Sequence, residues 1–279
     1  MDYRVVVDSC GELTGEMKAS GIFVSAPLTM EVGGEQIRDD ETFNQKEFLK
    51  KVAESPECPK SSCPSPEKYM DYYRGEQKRV YVVTLSAELS GSYNSAVLAK
   101  RLYAQEDAKK KIYVFNSRSA SIGETLIALK IQECEERGMP FKAVIAAVEA
   151  YIAQQHTYFV LENLDTLRKN GRLTGVKALV ADVLNIKPVM GSTPEGTICQ
   201  RGQAAGMRKA LKKIAEIAEK EAEKQEEKIL AISHCACPER ARRLEKMLLE
   251  KLKVKGSFIV DTAGISSMYA NDGGIIVVL

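Results

Sequence analysis

Along the first half of the chain, short apolar runs alternate with amphipathic stretches. Tyr3 to Val7 is an apolar run ending in Asp8-Ser9-Cys10-Gly11, so a strand leads into a loop, and a helical stretch of about Leu13 to Ala19 follows. Gly21-Ile22-Phe23-Val24 predicts a second strand. Leu28 to Val32 and Glu35 to Arg38 flank Gly33-Gly34, the pattern of a β-hairpin with a two-residue turn. Asn44 to Glu47 resembles a capping box and opens a helix carrying Phe48, Leu49 and Val52. Ser65 before Pro66 starts a helix through Tyr72. Val80 to Val83, running on into Thr84-Leu85-Ser86, reads as a buried strand, and Asn94 to Leu102 as a helix. Lys111 to Phe115 predicts another strand, then a turn over 116–121, a long helix to about Arg137 and a further helix from Phe141 to Gln155. Strands alternating with helices predict a layered α/β domain whose sheet is largely parallel.

The second half has a different rhythm. Tyr158 to Leu161 is a short strand, and Leu164 to Lys169 a short helix that Asn170-Gly171 ends. Val176 to Leu184 is apolar enough for a buried helix. Lys187 to Met190 and Gly196 to Gln200 form a hairpin over Thr193-Pro194-Glu195. Met207 to Gln225 is a long charged helix with one apolar stripe, Leu211, Ile214, Ile217 and Ala218. Strand Lys228 to Ser233, helix Pro238 to Leu252, and strands Ser257 to Val260 and Ile275 to Leu279 complete a mixed sheet with helices. The change of pattern predicts two α/β domains, 1–157 and 158–279.

Composition narrows the partners. A length of 279 residues suits two domains, and 44% hydrophobic residues suffice for a core. A net charge of +2 does not point to nucleic acid. No run of about 18 apolar residues predicts a membrane span. The chain opens directly on a strand, so no secretory leader and a cytoplasmic location are expected. Seven cysteines, an odd number, argue for reduced thiols, and Cys235-Ala236-Cys237 lacks zinc-ligand spacing, so no metal is expected.

The familiar catalytic signatures are missing: no GxxxxGK[ST] phosphate loop, no GxGxxG and no GxSxG elbow. His156 and His234 are the two histidines, and a serine without a base is a weak nucleophile. What remains is a set of hydroxyl-rich turns at predicted strand ends: Asp8-Ser9; Ser61-Ser62; Ser86, Ser90 and Ser92 around Gly91; and Ser117, Ser119 and Ser121. In a parallel sheet, ligands bind beyond the carboxyl ends of the strands, where helix N-termini offer unpaired N–H groups. Ser90 or Ser92 would cap such a helix, and Gly91 would let a ligand approach the backbone. Each turn alone is explained by ordinary N-capping. Four together suit one shared site for a carboxylate or phosphate held by neutral donors.

The order of these pieces resembles the DegV family of bacterial fatty-acid-binding proteins over nearly the whole chain. Asp8-Ser9 corresponds to the family's DS, Ser61 to Pro66 to TSQPSP, and Leu89-Ser90-Gly91-Ser92-Tyr93 to LSGTY. Asn116-Ser117 and Ala120-Ser121 correspond to a second DS and a later serine. Leu161 to Leu173 is similar to LEYLKKGGRI, Leu184 to Pro188 matches LNIKP, and Ser233-His234 matches a further position. The resemblance implies a non-catalytic lipid carrier without a cofactor. It would enclose one long-chain fatty acid, with its tail in an apolar tunnel and its carboxylate near the domain junction. It also implies a partner, a fatty-acid kinase that makes acyl phosphate. By position, Ser61, Ser62, Ser90, Gly91 and Ser92 would hold the carboxylate. Asp8, Ser9, Ser117, Ser121 and Tyr269 would be neighbours, and Arg172 would face the kinase. Tyr269 and Asn271-Asp272 stand where the family has His and Gly-Pro in HxGPG, so this position donates a hydrogen bond but carries no charge near neutral pH. Two rival readings remain: a regulatory binder of another apolar carboxylate, and a phosphotransferase akin to dihydroxyacetone kinases.

Overall fold

The computed structural model of the chain describes residues 2–173 and 185–279. The helix expected at 176–184 lies outside the described residues, as does Leu184 of the Leu-Asn-Ile-Lys-Pro run. The first half runs β1 (Tyr3–Asp8), α1 (Gly15–Ala19), β2 (Phe23–Ala26), β3 (Thr29–Val32), β4 (Glu35–Arg38), α2 (Gln45–Glu54), β5 (Lys60–Ser62), α3 (Pro66–Tyr73), β6 (Arg79–Thr84), α4 (Ser92–Tyr103), β7 (Lys111–Asn116), α5 (Ile122–Glu136) and α6 (Phe141–Ala153). The second runs β8 (Thr157–Val160), α7 (Asp165–Lys169), β9 (Ile186–Ser192), β10 (Ile198–Ala205), α8 (Met207–Glu221), β11 (Ile229–His234), α9 (Pro238–Leu249), β12 (Gly256–Asp261), α10 (Gly264–Ala270) and β13 (Ile275–Val278).

The first sheet has the order β2-β1-β6-β7, with every neighbour pair parallel. A parallel sheet is covered on both faces, so its central strands are apolar throughout, and Val5, Val6 and Val7 are fully buried. Val6, Val80 and Val82 pack under α3 and α4. Val5, Val7 and Val83 face α5 and α6. The expected hairpin is present as β3 and β4, closed by Gly33 and Gly34 at φ +58° and +81°, a left-handed conformation that glycine adopts without cost. It belongs to a separate small sheet, because β5 adds to its other edge. Lys60-Ser61-Ser62 carries no apolar signal, and its strand exists only through pairing with Thr29 to Glu31.

The second sheet has the order β10-β9-β8-β13-β11-β12 and is mixed: β11 and β12 are parallel, while the other pairs are antiparallel. Its two faces separate residue by residue, because side chains alternate along a strand. Tyr158, Val160, Ile275 and Val277 pack beneath α8 and α9. Phe159, Leu161 and Ile276 point the other way.

Helix α5 lies between the two sheets. Ile127, Ala128 and Ile131 join the core of the first. Ile122 and Leu126 meet Ala231 and Val278 of the second. A helix clasped on both sides is apolar around its circumference and reads as buried.

The expected N-caps hold, Asn44 without the reciprocal Glu47 bond of a full capping box. Asn44 accepts from the Glu47 amide at 3.2 Å, and Ser65 from the Lys68 amide at 3.4 Å with Pro66 following. Helix α10 was not legible. Gly264-Ile265-Ser266-Ser267 is a poor helix opening, since glycine, a β-branched residue and two serines all disfavour helix. The cap comes from elsewhere in the chain: the Asp39 carboxylate accepts from the amides of Gly264 at 2.7 Å and Ile265 at 2.8 Å.

Candidate functional site

The outward faces of β8, β10 and β13 do not close on the first sheet. They leave an apolar cavity of about 100 Å³ between them. Phe159, Leu161, Ile198 and Ile276 supply the wall from the second sheet, and Ile265 and Ala270 of α10 another. Cys10, Leu85 with Leu89, and the 118–121 turn form the opposite wall. These follow the carboxyl ends of β1, β6 and β7, the side of a parallel sheet where ligands bind. No helix among the described residues is long and apolar enough to cross a membrane.

At one end the wall turns polar. Tyr269 lines the cavity, and its hydroxyl lies 3.3 Å from Oγ of Ser61. Cys63, two residues on, brings Sγ to 3.3 Å from the position a Cβ would take on Gly91. Gly91 is the N-cap of α4, and no side chain caps that helix. Ser90 Oγ takes the Ser92 amide, while the positive end of the helix dipole remains favourable to an anion. Arg172 also lines the cavity, and its Nε donates to the carbonyl of Leu89 at 3.1 Å, one residue before Ser90. Tyr269 and Arg172 thus link the cavity wall to Ser61 and to the turn that precedes the uncapped α4.

The geometry sorts the expected residues. Ser61 and Ser62 are neighbours on a strand and point to opposite faces. Ser61 is half-buried toward Tyr269, whereas Ser62 is exposed and leaves the candidate set. Ser90 and Gly91 are at the polar end, but neither Ser90 nor Ser92 caps α4. Ser90 Oγ accepts from the Ser92 amide at 3.2 Å. Ser92 is fully buried, with its hydroxyl 2.6 Å from both Asp8 Oδ2 and the Tyr69 hydroxyl, so it anchors the turn and is not free for a ligand. Asp8 is likewise internal. Its Oδ2 also accepts from the Leu85 amide at 3.0 Å and its Oδ1 from the Cys10 amide at 3.2 Å. Ser9 accepts from the Leu28 amide, and Ser117 donates to the Ser119 carbonyl, both as loop braces. Ser121 lines the cavity, but its hydroxyl is committed to Glu12 and Ser233. Arg172 was expected to face outward to a partner; it turns into the cavity wall.

Several lining residues went unnoticed in the sequence. Arg118 contributes from a turn where its φ is +51°. The buried hydroxyl pair of Ser119 and Thr157, 2.7 Å apart, joins the first half to β8. Ser266 comes from the unrecognised helix α10. Neither histidine lines the cavity. His234 is held neutral by burial, and its Nδ1 accepts from the Cys237 amide at 3.4 Å. Among the described residues, no group of three or more His, Cys, Asp or Glu is placed to hold a metal ion.

Behind the cavity wall lie four buried carboxyls: Asp8, Glu12, Asp39 and Glu124. Loss of water pushes all four upward from the ordinary carboxylate range, with Glu12 at about 7 and Asp39 at about 6. Hydrogen bonds pull in the opposite direction: Ser121 donates to both Glu12 oxygens, at 2.8 and 2.9 Å, and the Ala263 amide adds a third at 3.4 Å. Glu12 therefore ties the β1–α1 loop to the loop before α10.

Comparisons with known proteins place the chain. The model of the DegV family, described as uncharacterised proteins, matches residues 2–278. A DegV family protein from Ruminococcus gnavus, solved with vaccenic acid, is 61% identical, with a TM-score of 0.98 over 100% of both chains. The Fatty Acid Kinase (Fak) B3 protein of Streptococcus pneumoniae, loaded with linoleic acid, is 28% identical, with a TM-score of 0.88 over 100% of this chain and 99% of its own. A DegV domain-containing protein from Streptococcus pyogenes serotype M18 is 32% identical across 99% of this chain and 98% of its own.

Proposed function

The chain belongs to the DegV family, and from that premise we propose that it binds one long-chain fatty acid and presents it to a fatty-acid kinase. The observation that carries the reading is the change of wall within one cavity. Apolar strand faces line it, and Tyr269 and Arg172 of its wall reach Ser61 and the Leu89 carbonyl before the uncapped α4. The tail would lie against Phe159, Leu161, Ile198 and Ile276. The carboxylate would take Ser61, Ser90, the Gly91 turn and Tyr269 as donors, with Arg172 beside it.

The energetics favour this division. An acyl chain of about 15 methylenes gains roughly 12 kcal/mol on burial at about 0.8 each, before the costs of association. The head group has the smaller task of not remaining an unpaired buried charge. A carrier that ends in a polar mouth holds the reactive carboxylate where a partner enzyme can reach it. Among the described residues, neither histidine lines the cavity, and on this reading phosphorylation is left to the kinase. The two halves, 1–157 and 158–279, are on this reading two domains with the ligand between them. Their separate cores and the mixed wall of the cavity support that division.

Native mass spectrometry of the purified protein tests the reading. A one-to-one adduct of fatty-acid mass is expected, and incubation with a fatty-acid kinase and ATP should convert it to acyl phosphate. A protein that is empty and takes up no added fatty acid would overturn the proposal. An adduct of another apolar carboxylate would replace the ligand class while keeping the site.

A further inference from the structure

Glu124 is fully buried in the first turn of α5; among the described residues its oxygens meet no N–H or O–H donor, and the Cys10 thiol beside it is a weak one. A buried carboxylate without donors is among the costliest groups a protein can hold. The neighbouring carboxyls of Asp8 and Glu12 worsen this, and the Cys10 thiol offsets it only weakly. Asp8 stands at the end of β1, Glu12 and the Cys10 thiol lie in the following loop, and the Tyr69 hydroxyl lies on α3. The α5 dipole favours an ionised Glu124, but one helix end is weak against two nearby carboxyls in a dry site. Gly11 lets the groups close up, since a Cβ there would lie 2.9 Å from the Cβ of Glu124.

Asp8 is the opposite case. It accepts from the Leu85 and Cys10 amides and from Ser92, as an ionised carboxylate does. We propose that Glu124 is a positioning residue of the polar end of the cavity: it keeps its proton and donates it to Asp8, which in turn holds Leu85 and Ser92 and so shapes the turn of Ser90 and Gly91. Two carboxyls that share one proton titrate as a pair, and the proton leaves the pair above the ordinary carboxylate range. Once it leaves, two facing charges strain the turn that receives the ligand's carboxylate. The consequence for ligand binding rests on the fatty-acid reading above; the proton assignment does not.

The test combines two readouts on the full chain and on Glu124→Gln, whose amide can still donate to Asp8. Infrared spectra at about pH 8.5, above the Glu12 and Asp39 transitions, should show a protonated-carboxyl stretch in the parent that Glu124→Gln lacks. Fatty-acid affinity of the parent should fall about tenfold per pH unit once the pair ionises. Glu124→Gln should keep the neutral-pH affinity and lose that slope. Glu124→Leu, which offers no donor, should bind weakly at every pH and serves as the second variant if the amide does not fold. A carboxyl stretch that persists in Glu124→Gln, or an unchanged pH profile, overturns the assignment. Loss of the stretch in a protein that binds no fatty acid in any form supports the shared proton and sinks the cavity reading alone.

Discussion

Ser61 and Tyr269 meet hydroxyl to hydroxyl at 3.3 Å, although 208 residues separate them. One belongs to the small sheet of the first half and the other to α10 near the end of the chain. Their meeting closes the polar end of the cavity, and each oxygen has capacity left for an anion. Removing one hydroxyl from a hydrogen bond to a charged group costs about 1.5–3 kcal/mol. Tyr269→Phe and Ser61→Ala should each weaken fatty-acid affinity by roughly ten- to a hundredfold on that scale. The two effects should be less than additive, because the residues are partners. Competition binding with a fluorescent fatty acid measures both, and full additivity would argue that the hydroxyls act apart.

Arg172 distinguishes two roles. Its Nε bond to Leu89 places the guanidinium beside the turn of Ser90 and Gly91. Arg172→Gln should lower fatty-acid affinity and reduce the salt dependence of binding. If affinity is unchanged while acyl-phosphate formation with the kinase falls, the residue serves the partner and not the ligand.

The tail channel can be closed without touching the mouth. Ile276 lies on the cavity face of β13, half-buried against Phe159, its partner across the ladder. Ile276→Trp should fill the cavity and yield protein free of fatty acid in native mass spectra. Overfilling costs about 1–3 kcal/mol in a packed core and less where space exists, so thermal stability should change little. A tryptophan variant that still copurifies with a long-chain adduct would place the tail elsewhere.

Glu12 should make stability depend on pH. Burial raises its carboxyl from 4.5 to about 7, against the hydrogen bonds from Ser121 and Ser266. The folded protein thus binds this proton more tightly than the unfolded chain. The associated stability is fully present below about 4.5 and is lost as pH rises through 7, at most about 3 kcal/mol. Urea denaturation at about pH 5 and about pH 8 should show this loss in the parent, and Glu12→Gln should flatten it. An identical pH dependence in the variant would assign the effect to other groups.

Asp39 should support α10 as its distant cap. Asp39→Ala removes the acceptor of the Gly264 and Ile265 amides and should cost about 1–2 kcal/mol in denaturant unfolding. Because Tyr269 rides on α10, fatty-acid affinity should fall with it, whereas a cap that mattered only to stability would leave affinity intact.

Much of this architecture was legible in the order of residues. The apolar runs of β1, β6 and β7, the Gly33-Gly34 turn, and the caps at Asn44 and Ser65 are local signals that the folded chain keeps. So is the hairpin of β9 and β10, which extends to Ala205, beyond the Gln200 expected. The resemblance in motif order pointed to the family.

Tertiary structure decided what local signals cannot carry. Ser90 and Ser92 have the same chemistry two positions apart, and only the fold turns Ser92 into a buried partner of Asp8 and leaves Ser90 at the mouth. Strand β5 and helix α10 arise from partners distant in sequence, Thr29 to Glu31 and Asp39, so no propensity marks them. Phe159 and Ile276 look like any core residues in a strand, and only the failure of two sheets to close on each other makes them a cavity wall. Propensity and periodicity act over a few residues, whereas a cavity, a distant cap and a shared proton are properties of surfaces that meet only after folding.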